Sequence, residues 1–305
     1  MVPEIKISSQ NPLALLLAEA IGGISLDLAT PQQLRSLAQV VVAEDLLHYA
    51  TAIRASAHLL AVDEDMEAFV TTHVEHLLWV EHRKAVWRSG RITSPQSVGC
   101  NLRVEGREHL DATAGFPTVL LTPMTLAFED ALWMTHSLGD GRAVALYGED
   151  IIDDTTFAEV AAVLNLANVR LVGATPASAR EVLRVLRRGG CFLTYPDFVY
   201  RGHKVQHARF FGMRYPFSSS FIALCASGGN MLLPCYLRRE DNDLTIHFEP
   251  PVQLPSRDEG AVDRRWTMHL VGATVARLLE EMILCNPAQW LLLLTLVAKA
   301  DQRAE

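Results

Sequence analysis

The chain has 305 residues, 50% of them hydrophobic and 20% charged, with a formal net charge of −8 and a pI near 5.8. That length holds one large α/β core or two smaller ones, and the acidic balance excludes a nucleic-acid binder, which needs a field of the opposite sign. Cys100, Cys191, Cys225, Cys235 and Cys285 are scattered, odd in number and without a CxxC pair, which predicts free thiols in a reducing compartment rather than a disulfide framework.

Met1 to Gln10 is polar, carries Glu4 and Lys6, and predicts no signal peptide. The apolar run Leu13 to Leu28 is interrupted by Glu19, Gly22, Gly23, Ser25 and Asp27, short of the roughly 20 apolar residues a span needs. The expectation is a cytoplasmic protein with at most peripheral contact to an inner membrane. Residues 11–90 read as helical throughout. Thr30-Pro31 is an N-cap and N1 pair for a helix from Gln32 to Val42, and Ala43 to Leu60 continues the pattern. Asp63 to Arg88 is a further helix with an apolar stripe through Phe69, Val70, His73, Val74, Leu77, Val80 and Val86. His73 and His76 on it have ligand-compatible spacing, but no carboxylate-rich partner follows, so they are expected as solvated or core-edge residues and no metal is expected.

After a loop and a short extended piece from Gly90 to Gly106, the rhythm changes at Pro117. Strands are expected at Val119–Leu121, Val144–Tyr147, Val169–Val172 and Cys191–Tyr195, alternating with helices through Trp133, Thr155–Leu164 and Ala177–Arg188. Such alternation predicts an α/β fold: a mostly parallel central sheet flanked by helices, with a helical N-terminal region. A boundary is placed near residues 89–105, dividing residues 1–90, the helical region, from 91–305, the α/β body. A helix over Ser218–Ala226, strands at Met231–Leu237 and Leu244–Phe248, and a long helix over Asp263–Met282 complete the chain.

Chemistry in such folds gathers at strand C-termini, where a following helix offers free N–H groups. Thr118 to Trp133 is a strand running through Thr122-Pro123 into a helix expected from about Thr125, with Glu129 inside it. Asp197 ends the strand from Cys191. Arg180, Arg184, Arg187 and Arg188 share one helical face by spacing, and Arg201, Lys204, Arg209 and Arg214 follow with no acidic residue among these last four positions. In an acidic protein these form a local positive patch suited to phosphates. The alternative reading of each arginine is an ordinary solvated charge.

Five pieces in order resemble the bacterial lipid A acyltransferase family of the lysophospholipid acyltransferase-like superfamily. They are Val104 to Leu110 (VEGREHL), Leu120-Leu121-Thr122-Pro123, Arg180 to Gly190 with Tyr195-Pro196-Asp197, Phe210-Phe211-Gly212, and Asn286 to Leu291 (NPAQWL). The resemblance implies an acyl donor carried as a thioester on an acyl carrier protein or CoA, a small-molecule acceptor, and no cofactor. It also implies a His-x4-Asp/Glu motif in which histidine is the base and the carboxylate orients it. Here Met124 stands at the histidine position and Glu129 at the acidic one. A thioether has no usable proton affinity, so the carry-over is incomplete.

Three substitutes for the base are open: Glu129 itself, with a structural carboxylate as the alternative; His203 or His207 in the loop after Asp197; and His136 in an HxxxDG string. His136 lies about 16 Å along the helix from its start and is expected as a helix-end residue. Cys191 begins a strand and is not expected to be a nucleophile. The competing functions are acyl or aminoacyl transfer to an amine or hydroxyl on a soluble specialised metabolite, a catalytically silent homologue that binds an acyl group or carrier protein, and a thioester hydrolase, for which no nucleophile is evident.

Overall fold

The computed structural model describes residues 26–60, 65–89, 91–92, 97, 99–138, 142–148, 154–173, 175–198, 204–226, 230–241, 243–254 and 264–296. The chain divides into two compact units: a helical one of residues 1–99, 125–130 and 286–305, and a sheet unit of residues 100–124 and 131–285.

In the helical unit, α1 (Pro31–Ala43) starts at a full capping box, with Thr30 Oγ1 accepting the Gln33 N–H and the Gln33 side chain accepting the Thr30 N–H. Its buried residues Leu34, Ala38 and Val41 lie on one helical face. The helix expected to continue over 43–60 is broken. Asp45 and His48 take left-handed backbone angles (φ 44° and 57°), so a 3-10 turn at Leu46–His48 separates α1 from α2 (Tyr49–Leu59). Then α3 (Met66–Arg88) is capped by the Asp65 carboxylate, which accepts the N–H groups of Glu67 and Ala68. α3 packs on α1, α2 and the 3-10 turn Pro287–Gln289 around Leu34, Ile53, Phe69, Leu78, Trp79 and Trp290.

Of the histidines of α3, His73 and His76 are core, not core-edge. His73 and His76 are both fully buried. His73 Nδ1–H donates to the Ala288 carbonyl at 2.7 Å, and His76 Nε2–H donates to the Thr125 carbonyl at 2.6 Å. Imidazoles bury here because each meets a main-chain oxygen that needs a donor. Among the described residues no group of three or more His, Cys, Asp and Glu is placed to hold a metal ion.

The sheet unit contains strands β1 (Leu102–Glu105), β2 (Thr118–Leu121), β3 (Val144–Tyr147), β4 (Val169–Val172), β5 (Cys191–Thr194), β8 (Met231–Glu240), β9 (Asp243–Phe248) and β10 (Val252–Gln253), following the chain around a separate hairpin of β6 (Val205–Phe210) and β7 (Met213–Ser218). The main sheet runs β1-β9-β8-β2-β5-β3-β4, with β10 beside β8. Pairing is parallel throughout except for β8 with β9 and with β10. β2 lies in the middle and all its residues are buried, as a strand covered on both faces requires. The expected mostly parallel α/β sheet with a helical N-terminal region is the observed architecture.

Flanking helices are α4 (Arg107–Asp111), α5 (Phe128–Ser137), α6 (Asp154–Val163), α7 (Pro176–Arg187), α8 (Ser219–Cys225) and α9 (Arg264–Cys285). α7 packs on β3, β4 and β5, and α9 on β6, α8 and β8. At the N-terminal edge of the sheet, the Arg142 guanidinium bonds Thr113 Oγ1, Thr118 Oγ1 and the Gly189 carbonyl at 3.0–3.2 Å, tying the entries to β2 and β5 together.

The segment expected as a loop after Asp197 is in fact the β6–β7 hairpin. Phe211 and Gly212 form its tip with positive φ (47° and 73°), and the Phe211 N–H is held by the Glu280 carboxylate. Two positive-φ residues at the tip match the twist of the strands they join.

Candidate active site

In the sheet unit, the predicted site residues Met124 and Asp197 come together. Leu121 of β2 pairs with Thr194 of β5, and each chain runs three residues further, to Met124 and to Asp197. Equal offsets from a paired register bring the two loops level. Asp197 is fully buried; its Oδ2 accepts the Met124 N–H at 2.9 Å, and its carbonyl accepts the Tyr215 O–H at 2.7 Å. Asp197 is therefore a clamp on main chain. The Met124 side chain is buried.

Cys191, at the start of β5, is buried, and burial pushes its thiol up to about 11; burial also raises Cys225 and Cys235 well above the ordinary thiol range. All three are therefore poor thiolate nucleophiles at neutral pH.

In the helical unit, Glu129 and Asp130 occupy the first turn of α5, where two carboxylates suit the positive dipole end. The helix starts at Phe128, not near Thr125. The Thr125 carbonyl, which would accept the Glu129 N–H in a longer helix, is instead taken by His76. The two neighbouring carboxylates have different surroundings. Asp130 is fully buried and bonded by Arg83 (Nη2 to Oδ1, 2.7 Å) and by Trp87 Nε1–H at 2.9 Å. The Arg83 guanidinium also lies 5.7 and 5.9 Å from the ring centroids of Trp79 and Trp87, one turn away on either side along α3.

Glu129 is only 3% exposed, yet its cationic neighbour Arg88 stands off at 3.8 Å with 61% of its own side chain exposed. Burial raises the Glu129 pKa above the ordinary carboxylate value, opposed by its own backbone N–H and more weakly by Arg88. Glu129 thus holds a proton more tightly than an exposed carboxylate, while Asp130 beside it is bonded by Arg83 and Trp87.

The four arginines of α7 also come together. Arg180, Arg184, Arg187 and Arg188 are all exposed and, with Leu183, line a surface groove of about 470 Å³. Arg184 is paired with Glu181 on the same helix. Arg201 and His203 lie outside the described residues, and Lys204 is exposed just before β6. His207 is exposed on β6, 3.2 Å from Arg214. His136 belongs to α5 by its backbone.

Sequence reasoning missed Arg83 and Tyr215. The Trp79-Arg83-Trp87 spacing, four residues apart on one helical face, was the available signal for a buried cation.

A family model of bacterial lipid A biosynthesis acyltransferases matches residues 92–298. The chain belongs to that family. Membership covers the whole sheet unit from β1 to α9 and the turn Pro287–Gln289, and it makes acyl transfer the expected chemistry of the fold. No curated protein matches the chain. Among the described residues, no helix is long and apolar enough to cross a membrane.

Proposed function

We propose that this family member transfers an acyl or aminoacyl group from a thioester, on an acyl carrier protein or CoA, to an amine of a soluble acceptor, with Glu129 taking the proton. The observation that carries the reading is the contrast inside the first turn of α5. Glu129 is a buried carboxylate of raised proton affinity, while its neighbour Asp130 is committed to Arg83 and Trp87.

Position 124 is where the family's histidine is expected, and methionine there removes the strong base. A hydroxyl must lose its proton as it attacks, whereas a neutral amine attacks with its lone pair and sheds the proton afterwards. A weaker base therefore suffices for an amine. The amine nitrogen adds to the thioester carbonyl, and the C–S bond breaks as the tetrahedral intermediate collapses. The nitrogen proton passes to the Glu129 carboxylate and from it to the departing thiolate, which restores the site. Arg180, Arg184, Arg187 and Arg188, with Arg201 and Lys204, supply positive charge for the donor's phosphates.

A specific observation favours a second reading, a silent homologue that binds an acyl group or carrier protein without turnover: the buried thioether of Met124 offers apolar contact and no proton transfer. Incubation with acyl-CoA and acyl-carrier thioesters plus a panel of amines and alcohols, followed by mass spectrometry, separates the two. Amide formation that drops by about 100-fold or more in Glu129→Gln supports transfer. Thioester binding with no product, indifferent to that substitution, supports the silent binder. Met124→His is expected to add ester formation from alcohols.

A further inference from the structure

The β6–β7 hairpin has two faces of opposite character. Its inner face buries Phe210, Tyr215 and Phe217, whose rings lie 4.8–5.7 Å apart, and the Gln206 amide donates to the Met268 carbonyl of α9. The alternate residues point the other way. Arg209 is directly opposite Arg214 in the register, and His207 is opposite Pro216. Residues opposite one another in an antiparallel pair share a face with Cβ atoms about 5 Å apart, so both guanidinium groups and the imidazole stand on one outward surface.

Like charges placed directly opposite are unfavourable, and among the described residues no carboxylate offsets them. Both arginines are exposed, and among the described residues neither has a carboxylate within ion-pair distance. No acidic residue occurs anywhere from Lys204 to Ser218, in a chain of net charge −8. Arg214 Nη2–H donates to His207 Nδ1 at 3.2 Å, which orients that guanidinium toward the register row above Arg209. The mount is rigid: aromatic packing beneath, the tip pinned by Glu280, and Tyr215 anchored on the Asp197 carbonyl.

We propose that this outer face is a phosphate-binding surface in which Arg209 and Arg214 together engage one phosphate group and His207 holds Arg214 in place. Two planar forks on one face can each give paired N–H donors to phosphate oxygens, and a bound dianion removes the repulsion between them. The inference does not depend on the acyl-transfer reading. The phosphate belongs either to a lipid headgroup or to a soluble ligand.

The test uses the full chain. Co-sedimentation with phosphatidylcholine vesicles, with and without phosphatidylglycerol, probes the headgroup source; calorimetric titration with pyrophosphate probes the soluble source. Binding is expected in at least one arm, falling as salt is raised. Arg209→Gln/Arg214→Gln is expected to weaken it by about tenfold or more, since charged hydrogen bonds are lost. The double variant's thermal melt is checked first; if it does not fold, Arg214→Gln alone takes its place with the same outcomes. No binding in either arm, or binding undiminished in a folded variant, overturns the proposal.

Discussion

Glu129, the proposed base, would make opposite demands on stability and chemistry. Its folded pKa is raised by burial, so the native state holds this proton more tightly than the unfolded chain does. The stabilisation is complete below the ordinary value of 4.5 and is lost as pH rises through the raised one. Glu129→Gln removes that loss. The variant is therefore expected to melt at a higher temperature than the native protein at neutral pH, with the gap closing in acid, while amide-forming activity falls by about 100-fold or more. A lower melting temperature at neutral pH would instead mark Glu129 as a structural partner of Arg88. If Glu129 is the base, the rate of transfer rises with pH through that same raised value.

His73 works in the other direction. Burial lowers its pKa from 6.5 to about 4, against a small raising effect from the Ala288 carbonyl, and its Nε2 has no partner among the described residues. The unfolded chain binds the proton more readily, so stability is present above 6.5 and declines as pH falls toward 4, by roughly 3 kcal/mol in all. Chemical denaturation at pH 7 and pH 5 measures this, and His73→Gln is expected to flatten the difference. Asp130 supplies a third case. Arg83→Met leaves a buried carboxylate with its principal cation gone and is expected to cost about 3–5 kcal/mol, whereas the double change Arg83→Met/Asp130→Asn recovers part of that loss. These residues were half legible. The string Phe128-Glu129-Asp130 announces two carboxylates, but which one is neutralised depends on Arg83 and Trp87, more than forty positions earlier in the chain.

At the scale of elements, legibility followed periodicity. β2 reads as a strand because a central parallel strand is apolar at every position. α7 reads as a helix because its arginines and its buried Val182, Val185 and Leu186 separate onto two faces. The β6–β7 hairpin escaped notice because its inward positions include Gln206 and Ala208, which face Met268 and Gly272 of α9 and need not be large or apolar. The period-two signal is thereby erased on β6. Breaks at Asp45 and His48 escaped for a similar reason, since left-handed backbone at a non-glycine leaves little trace in composition.

Gly106 shows the reverse, a sequence motif whose physical reason only the fold supplies. It sits between β1 and α4 at φ 69°, and a Cβ there would collide with the Phe248 carbonyl at the end of β9. Gly106→Ala is expected to destabilise by about 2 kcal/mol or more, through both strain and the displaced strand, as urea denaturation can measure.

Across the whole molecule, five weak motif matches in chain order and the βα alternation sufficed for both fold and family, because topology constrains the order of elements more tightly than any one of them is written. What stayed hidden is the partition of the chain. The short segment Thr125–Asp130 belongs with the helices of residues 1–99, whereas the residues on either side of it belong with the sheet. No local pattern marks that switch; it rests on His76 taking the Thr125 carbonyl and on Arg83 and Trp87 taking Asp130.

Asp197 grips position 124 by its main-chain N–H. The bond does not depend on the side chain at that position, so the course of the loop after β2 survives any replacement except proline that fits the space. The side chain at position 124 can therefore change with no intermediate in which the loop has lost its hold.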